Sequence, residues 1–260
     1  MPRIRSPGEV SLERALSKLG IASRTEARSW IEAGRVRVNG VVQADPGRWV
    51  VPEKARIEID GRRADRKERM VLLLHKTRGT ITTRSDERGR PTVFDLLPEE
   101  LSRFGNLHSV GRLDQATTGL LLLTNDTRLS SWLTDPENEI PRVYRVTARG
   151  EITAEHVARM LAGVSSEVGM LKASHVEMLK ASGRESHLRI TLHEGKNREI
   201  RRLLEAVGSE VTDLKRISYG GLELGALKPG ECRVVEEREI DAAFPGSPRG
   251  TGLASGVVSS

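Results

Sequence analysis

The chain has 260 residues, of which 37% are hydrophobic and 30% are charged, and its formal net charge is +6. This length predicts one large or two modest domains with a real core. No run approaches the roughly 18 apolar residues of a membrane helix, and "MPRIRSPGEV" lacks the apolar stretch of a secretory signal. Cys232 is the only cysteine, which excludes an intrachain disulfide and favours the reducing cytoplasm.

The positive charge is concentrated in the first quarter of the chain. Residues 1–69 contain 16 Lys and Arg against 10 Asp and Glu, whereas residues 70–260 contain 26 of each kind. A basic module joined to a neutral body is typical of a unit that binds a polyanion. A run of charges is also common on a solvated surface, so the local pattern has to distinguish the two.

This basic region has the pattern of two short helices followed by a small sheet. "SLERALSKLG" predicts a helix with Ser11 as its N-cap and Gly20 just after its end. "SRTEARSWIEAG" predicts a second helix, because Ser23 and Glu26 stand at the spacing of a capping box. "RVRVNGVV" contains an Asn-Gly hairpin signal, and "ARIEIDG" predicts a further strand. Outward arginines on such a unit would face either phosphates or only water.

Residues 11–61 resemble the S4 domain, a small RNA-binding module, because "GIASRTEARSWIEAGRVRVNG" carries its helix-turn-helix signature. The resemblance implies four contacts with structured RNA, made by Arg14, Arg24, Arg28 and Arg35. Residues 1–10 are then interpreted as an N-terminal extension, and the charged residues 62–69 as a linker.

Residues 70–243 are predicted to form a second domain in which strands outnumber helices. Strands are predicted in "MVLLLHK", around Ile81, at residues 120–124 and 143–147, and in "HLRITL". Helices are predicted in "AEHVARMLAGV" and "NREIRRLLEAVG". No strand leads into a glycine-rich phosphate loop, so we predict an α+β domain with a mixed, mostly antiparallel sheet. The small and polar residues 244–260 predict a disordered tail.

A single carboxylate precedes an apolar strand in "GRLDQATTGLLLLTND". The four leucines that follow Gly119 predict a short strand buried on both faces. Asp114 then lies in the loop that enters this strand, two residues after Arg112. Because Asp is a common turn residue, spacing alone favours a turn cap at Asp114 and a surface ion pair at Arg112.

Four blocks of sequence resemble, in order, the pseudouridine synthases that modify ribosomal RNA and carry an S4 domain. They are "RGRPTVFDLLP", "VGRLDQATTGLLLLTND", "VYRV" and "EGKNREIRRLLEAVG", and the resemblance extends over about residues 11–240. It departs at Thr77, where a proline is usual, and at Thr127, where a glycine is usual. The fold it implies is the pseudouridine synthase fold.

The implied reaction converts uridine to pseudouridine: the bond from N1 to the ribose breaks, the base rotates, and C5 rejoins the sugar. It needs no redox change or group donor, so we expect no cofactor, and the six histidines lack metal-ligand spacing. The resemblance implies that Asp114 is the nucleophile, that Arg201 keeps it ionised, and that Tyr144 packs on the target base. Removal of a sugar proton by Tyr144 is left open, as are plain structural roles for Tyr144 and Arg201.

Further RNA contacts are implied in the second domain. They involve Arg112, Lys196, Asn197, Arg198 and Arg202. Two roles are open for Arg112, which either fills the space left by a flipped base or pairs with a phosphate.

The motifs near the C-terminal end of the chain indicate which RNA is the substrate. "EGKNREIRRLLEAVG" followed by "LKRISYGGLELGALKPG" resembles the large-subunit synthases more than the small-subunit ones. We therefore expect a monomer that acts on large-subunit rRNA, free or in an assembling subunit, with no membrane partner. The same chemistry on small-subunit rRNA is one alternative, and a non-catalytic assembly factor that only binds rRNA is another. A glycosidase would need a second carboxylate beside Asp114, and the motifs offer none.

Overall fold

The structure is a computed structural model that describes residues 8–52, 54–64, 69–102 and 106–248. Most of the predicted N-terminal extension (1–7), half of the predicted linker (65–68) and most of the predicted tail (249–260) lie outside the described residues. Residues 8–64 form the N-terminal unit and residues 69–248 form the body. Within these ranges no helix is both long and apolar enough to cross a membrane.

Within its described residues, the N-terminal unit contains two helices and six short strands. The two helices, the hairpin and the later strand follow in the predicted order, whereas the short strands at residues 10–11, 49–50 and 62–63 were not predicted. The elements are β1 (Val10–Ser11), α1 (Leu12–Lys18), α2 (Arg24–Glu32), β2 (Val36–Val38), β3 (Val41–Gln43), β4 (Trp49–Val50), β5 (Ile57–Ile59) and β6 (Arg62–Arg63). Strands β3, β2, β5 and β6 form an antiparallel sheet in that order, and β1 pairs with β4. Since β6 belongs to this sheet, ordered structure extends two residues past the predicted module boundary at residue 61.

Local signals account for these elements. The capping box of α2 is present, with the Glu26 amide 3.2 Å from Ser23 Oγ and the Ser23 amide 2.9 Å from Glu26 Oε2. Asn39 and Gly40 both have positive φ, as the tight turn between β2 and β3 requires. Ser11 holds the N-cap position of α1, but its side chain makes no capping hydrogen bond.

The body contains eleven strands, five α-helices and a short 3-10 helix within its described residues. They are β7 (Val71–Lys76), α3 (Glu99–Ser102), β8 (His108–Ser109), β9 (Thr118–Thr124), α4 (Thr127–Thr134), the 3-10 helix Pro136–Asn138, β10 (Arg142–Arg149), α5 (Ala154–Ala162), β11 (Val164–Ser166), β12 (Gly169–Leu171), β13 (His175–Ala181), β14 (Glu185–Leu192), α6 (Glu199–Ala206), β15 (Val211–Tyr219), β16 (Leu222–Glu223), β17 (Cys232–Val234) and α7 (Glu237–Ala243).

One large sheet organises the body. Its main path runs β13-β14-β10-β15-β9-β7-β17, with β8 added to β9 and β16 added to β15. Its strands pair antiparallel except for β9 and β15, which are parallel. This confirms the predicted mixed, mostly antiparallel α+β fold. The strand predicted around Ile81 is wrong, because Ile81 forms only an isolated bridge with Thr92.

The parallel pairing explains the glycine before the leucine run. Gly119 lies opposite Arg216 with φ +101°, and a Cβ at this position would stand 2.1 Å from the Arg216 carbonyl oxygen. The leucines then alternate between two cores, Leu120 and Leu122 on one face and Leu121 and Leu123 on the other. All four side chains are fully buried, which confirms the predicted two-sided burial.

The body and the N-terminal unit meet near the start of β8. The Asn106 side-chain amide donates to the Gly20 carbonyl at 3.2 Å.

The body includes residues at both of its predicted boundaries. Arg69, the last residue of the predicted linker, is 5% exposed and lies 3.2 Å from Glu237. Phe244 is 1% exposed and packs edge-on against Tyr219. The packed body therefore includes Phe244, the residue at which the sequence predicts a tail to begin.

Candidate active site

Asp114 stands in a tight turn immediately before β9. The Thr117 amide donates to the main-chain carbonyl of Asp114 at 2.9 Å, which closes the turn. Among the described residues, no backbone amide donates to the Asp114 carboxylate, whose side chain is 37% exposed. The turn therefore uses the main chain of Asp114 and leaves the carboxylate open for chemistry.

A cavity of about 170 Å³ opens beside this carboxylate. Tyr144, half-buried on β10, lines it together with Asp114. Three of the predicted RNA-contact residues also line it, namely Arg112, Lys196 and Arg198. Arg201, Asn197 and Arg202 do not line this cavity. The structure thus brings together two of the three residues predicted to be catalytic and places the third nearby.

Two arginines of the α6 region contribute positive charge near Asp114. Arg198 Nη1 lies 3.9 Å from Asp114 Oδ2, whereas Arg201 Nη1 donates to the Val211 carbonyl at 3.3 Å. Burial lowers the pKa of Arg201, repulsion from Arg198 adds to this, and the charge of Asp114 opposes both. In this structure the ion-pair partner of Asp114 is therefore Arg198, and Arg201 acts on the carboxylate from farther away.

Arg198 has an unusual backbone conformation for a non-glycine residue. It is the N-cap of α6 and has φ +52° and ψ +33°, in the left-handed region. Such a conformation costs about 1 kcal/mol for a residue with a Cβ. The loop before it is fixed by the buried Glu199, whose Oε2 accepts the Lys196 amide at 3.0 Å. Burial raises the pKa of Glu199.

A wider groove of about 710 Å³ continues from Asp114 along residues 81–90, with Arg112 and Arg198 in its wall. Thr82 joins this segment to the turn that contains Asp114, since its hydroxyl donates to the Leu113 carbonyl at 2.8 Å. Asp86 stiffens the segment by binding the Arg90 side chain and the Arg88 and Arg90 amides. The Arg90 guanidinium lowers the pKa of Asp86 to about 2.

The wall of the cavity contains two buried arginines that sequence reasoning missed. Arg142 is 6% exposed and donates to the carbonyls of Ile140 and His193, and Arg216 is 3% exposed and donates to the Leu120 carbonyl. Both guanidinium groups lie within 5.1 Å of the Tyr219 ring centre. An arginine in a strand that mixes polar and apolar residues is normally interpreted as solvent-exposed. The sequence pattern therefore contained no signal that Arg142 and Arg216 are buried.

The four arginines predicted to bind RNA in the N-terminal unit are all exposed, and two of them have acidic partners among the described residues. Arg28 pairs with Glu13 at 3.0 Å, and Arg35 forms a two-pronged contact with Asp60. Arg14 and Arg24 form no ion pair with any described residue. These two are the more available for phosphates, because they need not first leave a carboxylate.

No metal centre emerges from the parts of the chain that the structure describes. There, no group of three or more His, Cys, Asp or Glu side chains could hold an ion. The cavity lining includes four arginines, Arg112, Arg142, Arg198 and Arg216, and the lysine Lys196, a set of donors that suits an anionic ligand.

Comparison with known proteins shows which families the two parts of the chain resemble. The RNA pseudouridylate synthase family matches residues 70–206, and the S4 domain matches residues 11–54. The chain therefore belongs to the RNA pseudouridylate synthase family and carries an S4 domain at its N-terminal end. It is an isomerase that forms pseudouridine in RNA.

Several relatives share nearly the whole chain. An uncharacterised RNA pseudouridine synthase of Mycobacterium bovis is 38% identical over 92% of this chain and 95% of its own length. The ribosomal large subunit pseudouridine synthases B of Pseudomonas aeruginosa and Bacillus subtilis are 42% and 35% identical, each over 88% of this chain. The match covers 60% of the Pseudomonas protein and 93% of the Bacillus protein.

A solved structure shares the fold. A crystal structure of a pseudouridylate synthase superposes with a TM-score of 0.63 at 24% identity, covering 89% of this chain and 98% of the other. At this identity the comparison supports the architecture and not the choice of substrate.

Proposed function

We propose that this enzyme isomerises a uridine of large-subunit rRNA, with Asp114 as the nucleophile and without a cofactor. The observation that carries the proposal is a carboxylate left free by its own turn, at a cavity shared with Tyr144 and Arg198. The large-subunit target is supported by the relatives from Pseudomonas aeruginosa and Bacillus subtilis, which are named for that substrate.

In the proposed reaction the ionised Asp114 attacks the target nucleotide after the base has left its stack. The bond from N1 to the sugar breaks, the uracil turns within the cavity, and C5 forms the new bond to the sugar. The bond between Asp114 and the nucleotide breaks to return the carboxylate, C5 gives up its proton to water, and N1 takes up a proton in exchange. Reactant and product are isomers, so the balance needs no oxidant and no second substrate. Tyr144 packs on the base, and Arg198 and Arg201 keep the carboxylate charged as RNA excludes water.

The experiment that tests the target is a map of pseudouridines in rRNA from cells with and without the gene. We expect one position in large-subunit rRNA to lose the modification, and the purified enzyme to restore it. Loss at a small-subunit position would mean that the target lies in small-subunit rRNA, and it would leave the proposed chemistry unchanged. Unchanged modification together with tight rRNA binding would favour an assembly factor instead.

The two arginines beside Asp114 are expected to share one electrostatic task. Arg198→Ala and Arg201→Ala should each reduce the single-turnover rate at saturating RNA. This follows because each change removes a positive charge from the surroundings of the attacking carboxylate. The combined variant should lose more than either change alone, and Arg201→Lys should keep part of the activity.

Arg202→Ala is the matched control, since Arg202 belongs to the same helix and does not line the cavity. It should leave the single-turnover rate at saturating RNA unchanged. A combined Arg198 and Arg201 variant that is as fast as the parent would contradict the shared role.

The N-terminal unit is expected to supply phosphate contacts through Arg14 and Arg24, which form no ion pair with any residue that the structure describes. The double variant Arg14→Ala/Arg24→Ala should weaken rRNA binding and lower the slope of log affinity against log salt by roughly 1.4 to 1.8, for two lost contacts. Arg28→Ala should change the slope less, because Arg28 already pairs with Glu13. Equal slopes for the double variant and the parent, measured by filter binding at several salt concentrations, would assign the phosphate contacts to the body.

A further inference from the structure

Arg216, on β15, is a buried cation in the wall of the cavity that Asp114 and Tyr144 also line. Its side chain lines the cavity, although only 3% of the residue is exposed. Strand pairing places it opposite Tyr144 on β10 and opposite Gly119 at the start of β9. Because residues directly opposite each other in antiparallel strands share one face of the sheet, Arg216 and Tyr144 lie on the cavity side together.

The guanidinium of Arg216 is only partly used by the protein. Its Nε donates to the Leu120 carbonyl at 2.7 Å, and its central carbon lies 4.9 Å from the centre of the Tyr219 ring. Its Nη2 is buried and has no hydrogen-bond partner among the described residues. Arg142, the other buried arginine of the wall, donates to main-chain carbonyls from both of its Nη atoms. A buried donor at the cavity is therefore left over on Arg216.

The charge of Arg216 is also left without a counterion. In the described parts of the chain none of the three carboxylates that line the cavity forms an ion pair with it; they are Asp114, Glu194 and Glu199. Asp114 lies beside Arg198, and Glu194 pairs with Lys196 at 2.7 Å. A guanidinium stays protonated when it is buried, and a buried charge without a partner is costly. The site therefore suits a ligand that brings negative charge into the cavity.

The isomerisation produces such a charge on the base. When the bond from N1 to the sugar breaks, both electrons of the bond stay with the uracil, so the base becomes an anion. Its charge is shared between N1 and the carbonyl oxygens O2 and O4. The rotation that brings C5 to the sugar exchanges the positions of O2 and O4, so one fixed donor meets a carbonyl oxygen before and after it. The electron pair then forms the new bond from C5, and the charge on the base disappears.

We propose that Arg216 is a catalytic residue whose Nη2 donates to a carbonyl oxygen of the uracil and stabilises the anion between bond breaking and bond making. A fixed donor in a water-excluded site stabilises such a charge more strongly than water does. The proposal rests on the proposed function, because it places the target base in the cavity beside Tyr144. It is independent of which ribosomal subunit contains the target.

The test compares Arg216→Met and Arg216→Lys with the parent in the full chain. The substrate is rRNA from cells that lack the gene, labelled with tritium at C5 of its uridines, so that tritium release reports turnover at any position. Arg216→Met should bind RNA within about threefold of the parent and react about 100-fold more slowly or worse in single turnovers at saturating RNA. Arg216→Lys keeps the charge and loses the fork, so its rate should lie about 10-fold below the parent.

Added guanidinium ions distinguish the charge of Arg216 from its packing. In Arg216→Ala, guanidinium at concentrations that leave the parent folded should raise the rate by at least about 10-fold. Urea has the same planar shape without the charge and should not raise it. Equal rates with the two solutes, whether both rescue or neither does, would overturn the proposal. If Arg216→Met and Arg216→Ala do not fold, the rate of Arg216→Lys decides, and a rate equal to the parent's would overturn it.

Arg189→Ala is the matched control. Arg189 belongs to the neighbouring strand β14, pairs with Glu177 at 2.6 Å and does not line the cavity. Its loss should change the rate by less than about threefold, and guanidinium should not speed this variant.

The same measurements separate a contact with the base from a contact with the RNA backbone. If Arg216 bound a phosphate, Arg216→Met would lower the slope of log affinity against log salt by roughly 0.7 to 0.9 and leave the rate at saturating RNA unchanged. That result would overturn the proposal and leave the proposed function intact. Absence of tritium release by the parent enzyme would instead contradict the proposed function.

Discussion

Replacing Asp114 with asparagine is expected to abolish pseudouridine formation while leaving the affinity for rRNA within about threefold. Asparagine has nearly the same shape but carries no charge and is a poor nucleophile, so the rate should fall by more than about 1000-fold. The fold should persist, because the turn is closed by the main chain of Asp114 and not by its carboxylate. Single-turnover kinetics measure the loss of rate, and thermal unfolding of the same preparation shows whether the fold persists.

Asp213→Asn is the control for Asp114→Asn. Asp213 is an acidic residue near the start of β15, pairs with Arg78 at 2.8 Å and is 48% exposed. Its loss should change the rate by less than about threefold, as expected for a surface ion pair. Activity of Asp114→Asn above about one thousandth of the parent rate would remove Asp114 from the role of nucleophile.

Gly119→Ala is expected to cause the largest loss of folding stability among single methyl additions in the catalytic motif. The new Cβ would meet the Arg216 carbonyl oxygen at 2.1 Å, and this oxygen belongs to the paired strand β15. Because φ at Gly119 is +101°, the alanine is also strained in its backbone. The free energy of unfolding should fall by about 3 kcal/mol or more, measured by urea denaturation.

Gly79→Ala separates the two causes of the expected loss of stability, which are the clash of the new Cβ and the strain of a positive φ. Gly79 has φ +92°, but a Cβ there would meet nothing within 4 Å. It should therefore show only the backbone cost, about 1 to 2 kcal/mol. Similar losses at the two glycines would mean that β9 and β15 can move apart enough to accommodate the methyl group.

The features that the sequence could predict are those coded by neighbouring residues. The capping box of α2, the hairpin at Asn39-Gly40 and the buried leucines of β9 depend on short spacings, and the structure contains all three. The position of Asp114 at the entrance to β9 follows from the same local pattern. Its presence beside Tyr144 was implied only by the resemblance to the pseudouridine synthases, and both residues line the cavity.

The features that the sequence could not predict depend on contacts between distant segments. The predicted helix over "NREIRRLLEAVG" placed Arg198 and Arg201 on one helix, but α6 begins at Glu199 and Arg198 lies before it. The left-handed backbone at Arg198 brings its guanidinium to Asp114, and helical periodicity cannot show this. Likewise, "LLLHK" gives no sign that Lys76 is buried under a turn whose Thr117 carbonyl lies 41 residues further along the chain.

The parallel pairing of β9 with β15 also affects how the enzyme folds during its synthesis. Thr118 pairs with Lys215, so Asp114 leaves the ribosome long before the strand beside β9 has been made. At about 5 to 20 residues per second, this delay lasts roughly 5 to 20 s. During that interval the leucine-rich β9 has an unpaired edge, which is a site for aggregation or for chaperone binding. The nascent chain therefore contains Asp114 before the residues of the C-terminal half that complete its cavity have been made.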